Sequence, residues 1–192
     1  MRPTKATKNA WLPVLGLLAA LGALSPSEAE AQGGFYLGVG LGPAIRVDDW
    51  PTQFRIEQEI GYYFSGEPQG FFLAFAPSQS FGNNFWMLTF APRLGYMFEV
   101  FRNRDVQFQL GPAGTIPGVA VAGCDYDADW CRADAWFHMS FSFMMRLLLA
   151  RGRVAIYLRP VEFEFAFGGD RRRGWGDSGI RYVLQGGVQF HF

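Results

Sequence analysis

The chain has 192 residues, a formal net charge of zero and only 18% charged residues, so no basic excess points to a nucleic-acid partner. Disorder is excluded as well, because 49% of the residues are apolar and 17% aromatic. With 24 Gly, 11 Pro and 20 Phe, the composition opposes long helices and points to one β-rich domain.

Arg2, Lys5 and Lys8 precede an apolar run from Trp11 to Leu24, which Ser25-Pro26 and Ala29-Glu30-Ala31 follow. A positive start, a short apolar stretch and an A-x-A end are the parts of a secretory signal peptide, so residues 1–31 are expected to be cleaved. The run is shorter than the roughly 20 residues a membrane helix requires. Residues 32–192 then form the mature domain, in which every basic residue is arginine. Arginine keeps its charge when desolvated and forks onto carboxylates, which suits buried ion pairs.

From there the dominant period is two. Phe35, Leu37, Val39 and Leu41 alternate with Tyr36 and glycines; Phe54, Ile56, Ile60 and Tyr62 alternate with Arg55, Glu57, Glu59 and Tyr63. Phe71, Leu73 and Phe75 form a third segment opposite Phe72 and Ala74. The fourth sets Trp86, Leu88, Phe90, Leu94, Tyr96 and Phe98 against Met87, Thr89, Arg93 and Met97. A shorter fifth, Val106 to Gly111, alternates apolar residues with Gln107 and Gln109. The sixth opposes Phe137, Met139, Phe141 and Phe143 to Trp136, His138, Ser140 and Ser142. The seventh changes phase at Arg159-Pro160, where a β-bulge absorbs one residue, and continues through Val161, Phe163, Phe165 and Phe167. Ile180 to Phe192 is the eighth.

Alternation of this kind indicates strands with two different environments. One face of all eight segments carries no charge. The other carries Arg55, Arg93, Arg146, Arg159 and Arg181 with Glu57, Glu59, Glu162 and Glu164, and Glu99 brings the count to five of each sign. A soluble, lipocalin-like barrel has the opposite arrangement. Charged inside and apolar outside is the pattern of a transmembrane β-barrel, which must close because an open strand edge in hydrocarbon leaves backbone groups unpaired. The fold class expected is therefore all-β: an eight-stranded antiparallel transmembrane barrel after a cleaved signal peptide, integral to a bacterial outer membrane. The five opposed charges are expected to form a lumen ion-pair network.

Short links at Ser65–Gln69, Val100–Asp105 and Leu149–Gly152 read as periplasmic turns, and longer ones at 43–51, 77–84, 113–133 and 168–178 as external loops. Tyr62, Tyr63, Tyr96, Phe98 and Phe192 are expected at the inner membrane boundary, and Trp50, Trp86, Trp136 and Trp175 near the outer one.

With these features the chain resembles the small eight-stranded outer-membrane barrels of the OmpA/OmpX kind, from Gly33 to Phe192. Its ending, Val188-Gln189-Phe190-His191-Phe192, looks like the signal read by the barrel-assembly machinery of Gram-negative bacteria, with Phe190 and Phe192 as the assembly residues. The resemblance implies architecture more than activity, with outer-membrane lipid as the surroundings and a monomer as the expected state.

Cys124 and Cys131 bracket an acidic stretch, and in an oxidising compartment they are expected to form a disulfide. No zinc or calcium set is complete there, so no metal or cofactor is expected. Arg171, Arg172 and Arg173 are a candidate contact for lipopolysaccharide phosphates, although a solvated charge run explains them as well. His138 and Ser140 share the charged face and are similar to the His-x-Ser pair of outer-membrane lipid A deacylases, with the histidine as base and the serine as nucleophile. The following Phe141-Ser142-Phe143-Met144 departs from that family's Asn-rich stretch, and a pair of lumen polar residues is the preferred reading. The function expected is a non-enzymatic barrel with a structural or surface-interaction role. A lipid A-modifying enzyme and a narrow ion channel are the alternatives.

Overall fold

The computed structural model describes residues 34–47, 53–82, 85–123, 134–167 and 179–192. The expected signal peptide, Cys124, Cys131, Arg171, Arg172 and Arg173 lie outside the described residues. Ten strands follow one another: β1 (Phe35–Arg46), β2 (Gln53–Tyr63), β3 (Gly70–Phe75), β4 (Ser78–Gly82), β5 (Phe85–Phe90), β6 (Pro92–Arg102), β7 (Gln107–Gly123), β8 (Asp134–Leu149), β9 (Val154–Phe167) and β10 (Ile180–His191). All pairings are antiparallel, and β1 pairs with both β2 and β10, so the sheet closes on itself.

The barrel has eight staves, because two staves are each interrupted once. β3 and β4 run along the same partner, β2, with a break at Ala76-Pro77. There the Pro77 carbonyl accepts from the Gln58 amide at 2.9 Å, which carries the ladder across the gap. β5 and β6 lie along that stave and β7, broken at Ala91 before Pro92, which has no N–H to donate. The link expected at 77–84 is thus mostly strand. Ser78 and Ser80 point inward and Phe81 outward, a lumen pattern that reads as a loop in the sequence. β7 likewise extends to Gly123, beyond the expected strand end at Gly111, through a bulge between Thr115 and Gly118.

The bulge expected at Arg159-Pro160 is present. Both ladders of β9 slip by one residue there, between Phe143 and Met145 on β8 and between Val183 and Gln185 on β10. The bulge turns Arg159 and Glu162, three residues apart, to the same side. Its Pro160 carbonyl accepts from the Tyr182 hydroxyl, which satisfies a backbone group that the ladder has lost.

Phe137 and Phe141 are about 60% exposed on the outer wall, while Arg93 and Arg159 inside are fully buried. That inversion is stable only if the outer wall meets hydrocarbon. An eight-stranded barrel is just wide enough for side chains, and here they fill it in tiers. Tyr36, Tyr63, Phe72, Met97 and Met144 pack near the short-turn end, and Met87, Ala120, Trp136 and Ala166 near the other. Two aromatic placements are corrected by this packing. Tyr63 and Trp136 lie in the lumen, not in membrane girdles, because strand phase places them on the inner face. Gly61 and Gly95 make room for the lower tier: a Cβ at either would overlap the ring of Tyr36 or Phe72.

Candidate functional site

Between those tiers the lumen holds Arg55, Arg93, Arg159 and Arg181 with Glu57, Glu59, Glu162 and Glu164, each at most 2% exposed. Glu57 accepts from Arg93 at 2.6 Å, from Arg55 at 2.7 Å, and from Arg159. Arg93 reaches further, to Glu59 at 2.8 Å and Glu162 at 3.1 Å. Arg159 contacts Glu162 at 3.0 Å and Glu59 at 3.3 Å. Glu164 is held by Arg55 and by Arg181, whose Nε donates at 2.7 Å.

Several of the pairs join strands that share no ladder, whereas Arg181 and Glu164 are ladder partners on β10 and β9. Arg55 and Glu57 on β2 meet Glu164 and Arg159 on β9, and Arg93 on β6 meets Glu162 on β9. The network therefore braces the barrel across its diameter. Four positive and four negative groups cancel, which desolvated charges require if their attraction is to offset their lost hydration.

Neutral groups complete the cluster. The Tyr36 hydroxyl donates to Glu59, and the Arg159 guanidinium lies over the Tyr157 ring at 5.1 Å. Gln53 accepts from Arg181 at 2.8 Å. Sequence reasoning that followed charge alone missed these partners, although Tyr36 and Tyr157 occupy inward-facing positions of their strands.

Two members expected in the network are placed elsewhere. Arg146 is buried nearer the short turns, where it donates to Gln109, Gln189, the Tyr63 hydroxyl and the Pro68 carbonyl, with no glutamate among its partners in the described residues. Its guanidinium also lies 4.9 Å from the Tyr63 ring centroid. Glu99 sits at the barrel end, 32% exposed, 3.7 Å from Arg102 and accepting from the Gln107 amide. The ion-pair cluster is four against four, not five against five, and Arg146 is a fifth buried arginine outside it.

Ser140 and His138 are buried on the inner face of β8, 6% and 1% exposed. The Ser140 hydroxyl donates to Glu162 at 3.0 Å and accepts from Thr115 at 3.1 Å. Phe190 and Phe192 face outward at the end of the last stave, where the Phe192 amide donates to the Phe35 carbonyl at 3.0 Å. Among the described residues no group of His, Cys, Asp and Glu is arranged as a metal site.

No family model and no curated protein sequence matches the chain. Among solved structures it is similar to Neisserial surface protein A, with 14% identity, coverage of 83% of this chain and 98% of that one, and a TM-score of 0.57. The outer membrane enzyme PagL (10% identity, 82% and 99% covered, TM-score 0.47) is also similar. So is Ail, the attachment invasion locus protein of Yersinia pestis (12%, 82% and 96%, TM-score 0.45). Strand order, apolar wall and filled lumen define the class by its architecture: the chain has the fold of the small eight-stranded outer-membrane β-barrels. Its setting is the bacterial outer membrane. At 14% identity the likeness to Neisserial surface protein A shows the fold and selects no role.

Proposed function

We propose that this is a non-enzymatic outer-membrane barrel, braced by its lumen charges, that presents its external loops for surface interaction or envelope integrity. The observation that carries the reading is the closed Arg–Glu cluster, in which each guanidinium meets at least one carboxylate inside a filled lumen. Such a lumen opposes a diffusion pore. The enzyme alternative needs Ser140 to reach lipid, yet its hydroxyl is buried and engaged by Glu162. Lipopolysaccharide phosphates remain the partner proposed for Arg171, Arg172 and Arg173, a disulfide is proposed for Cys124 and Cys131, and Phe190 and Phe192 are proposed to guide assembly.

Mass spectrometry of lipid A from Gram-negative cells with and without the chain tests this reading. Unchanged lipid A beside a heat-modifiable, folded barrel is expected. Loss of an acyl chain that disappears again in His138→Ala or Ser140→Ala would make the protein an enzyme.

A further inference from the structure

The short-turn end of the barrel is not uniform around its circumference. On one half, outward aromatic rings touch one another: Tyr62 with Phe64, and Tyr96 with both Phe71 and Phe98. Such rings form the usual belt at headgroup level. Across β8 and β9 the wall at this end is aliphatic instead. Leu110 pairs with Met145, Met145 with Leu158, and Leu147 with Ile156, so these side chains form one patch across β7, β8 and β9. Rings border it on both sides: Phe98 opposite Leu110 and Phe108 opposite Leu147 on one, Phe190 opposite Val154 on the other.

Arginines stand above this patch. A hollow of about 820 Å³ between the turns is lined by Arg102, Arg104 and Arg151, and an adjoining one of about 510 Å³ by Arg151 and Arg153, with Asp105 in both. The acidic groups nearby are partly engaged: Glu99 is 3.7 Å from Arg102, and Glu67, on the far wall, accepts from Gln69 at 2.8 Å. Arg104 and Arg151 make no ion pair among the described residues. The β8–β9 turn holds Ala150 and Arg151 at φ 51° and 57°. Asn-Gly is favoured in such a turn, so a cation is held at the rim of the hollow despite backbone strain.

We propose that this sector of the rim binds an anionic phospholipid, its phosphodiester between Arg104 and Arg151 and its acyl chains along the aliphatic patch. Arginine forks suit phosphate oxygens, and a cluster of basic side chains at a membrane surface selects anionic lipid. The site rests on the outer-membrane reading, in which the short turns face the periplasm and the lipid belongs to the inner leaflet.

The test is native mass spectrometry of the purified full chain titrated with phosphatidylglycerol or phosphatidylcholine of identical acyl chains. The unsubstituted protein is expected to retain phosphatidylglycerol in preference. In the Arg104→Gln/Arg151→Gln variant that preference falls by roughly five-fold per arginine, while Glu67→Gln does not reduce it. Equal retention of the two lipids, or an unchanged preference in the double variant, would overturn the site. Retention of inorganic phosphate as strongly as of the lipid would overturn the role of the aliphatic patch. Heat-modifiable migration is recorded for every variant, and its absence in the unsubstituted chain would instead overturn the barrel reading beneath the proposal.

Discussion

Arg93→Ala removes a guanidinium from the centre of the lumen network. Arg93 is fully buried and spans Glu57, Glu59 and Glu162 at 2.6, 2.8 and 3.1 Å. Removing it leaves those three carboxylates to Arg159 and Arg55, with one uncompensated negative charge in a site of low dielectric. Breaking a buried pair by deleting one partner costs about 3–5 kcal/mol, and the three-fold contact puts Arg93 at the upper end of that range. Arg102→Ala is the internal control. Its side chain is 55% exposed and 3.7 Å from Glu99, so its loss costs at most about 1 kcal/mol. Urea titration of both variants refolded into the same micelles, followed by circular dichroism and gel migration, measures the difference. Pairing Arg93→Ala with Glu162→Gln restores neutrality and is expected to recover part of the loss. Equal midpoints for Arg93→Ala and Arg102→Ala, or a double variant weaker than the sum of its parts, would refute the network as a brace.

Tyr182→Phe removes the donor to the Pro160 carbonyl at the β9 bulge and is expected to lower stability by about 1–3 kcal/mol, read by the same titration. Gly61→Ala forces a Cβ against the Tyr36 ring, whose hydroxyl donates to Glu59, and is expected to cost about 1–3 kcal/mol. Ser80→Ala, beside Gln53 and Arg181, removes only a 3.4 Å contact and is expected to shift the midpoint by less than either.

Where two environments alternate without interruption, the sequence was readable. β8 is the clearest case: Phe137, Met139, Phe141 and Phe143 outward against His138, Ser140 and Ser142 inward. The β9 bulge was equally legible, because Pro160 marks the residue at which the phase changes. Two stretches were hidden for opposite reasons. Ser78 and Ser80 are small polar residues that a lumen and a loop use alike, so β4 read as a connection. The bulge between Thr115 and Gly118 broke the alternation of β7 before its upper half could register. Periodicity also gives the side a residue faces but not its depth along the axis. Glu99 and Arg146 were for that reason grouped with charges that lie a tier away. For Tyr63 and Trp136, residue type suggested a membrane boundary while strand phase suggested the lumen, and phase prevailed. The neutral partners of the network escaped because a hydroxyl such as that of Tyr36 carries no charge to count.

The most direct measurement of the buried network is the exchange of arginine side-chain protons, followed by nuclear magnetic resonance on the barrel in micelles. Arg55, Arg93, Arg159 and Arg181 are sealed among carboxylates, so their guanidinium protons are expected to give resolved signals that exchange slowly with water. Arg104, exposed on a short turn, is expected to exchange fast. Exchange of the four lumen arginines at the rate of Arg104 would show a hydrated, unbraced lumen and contradict the account.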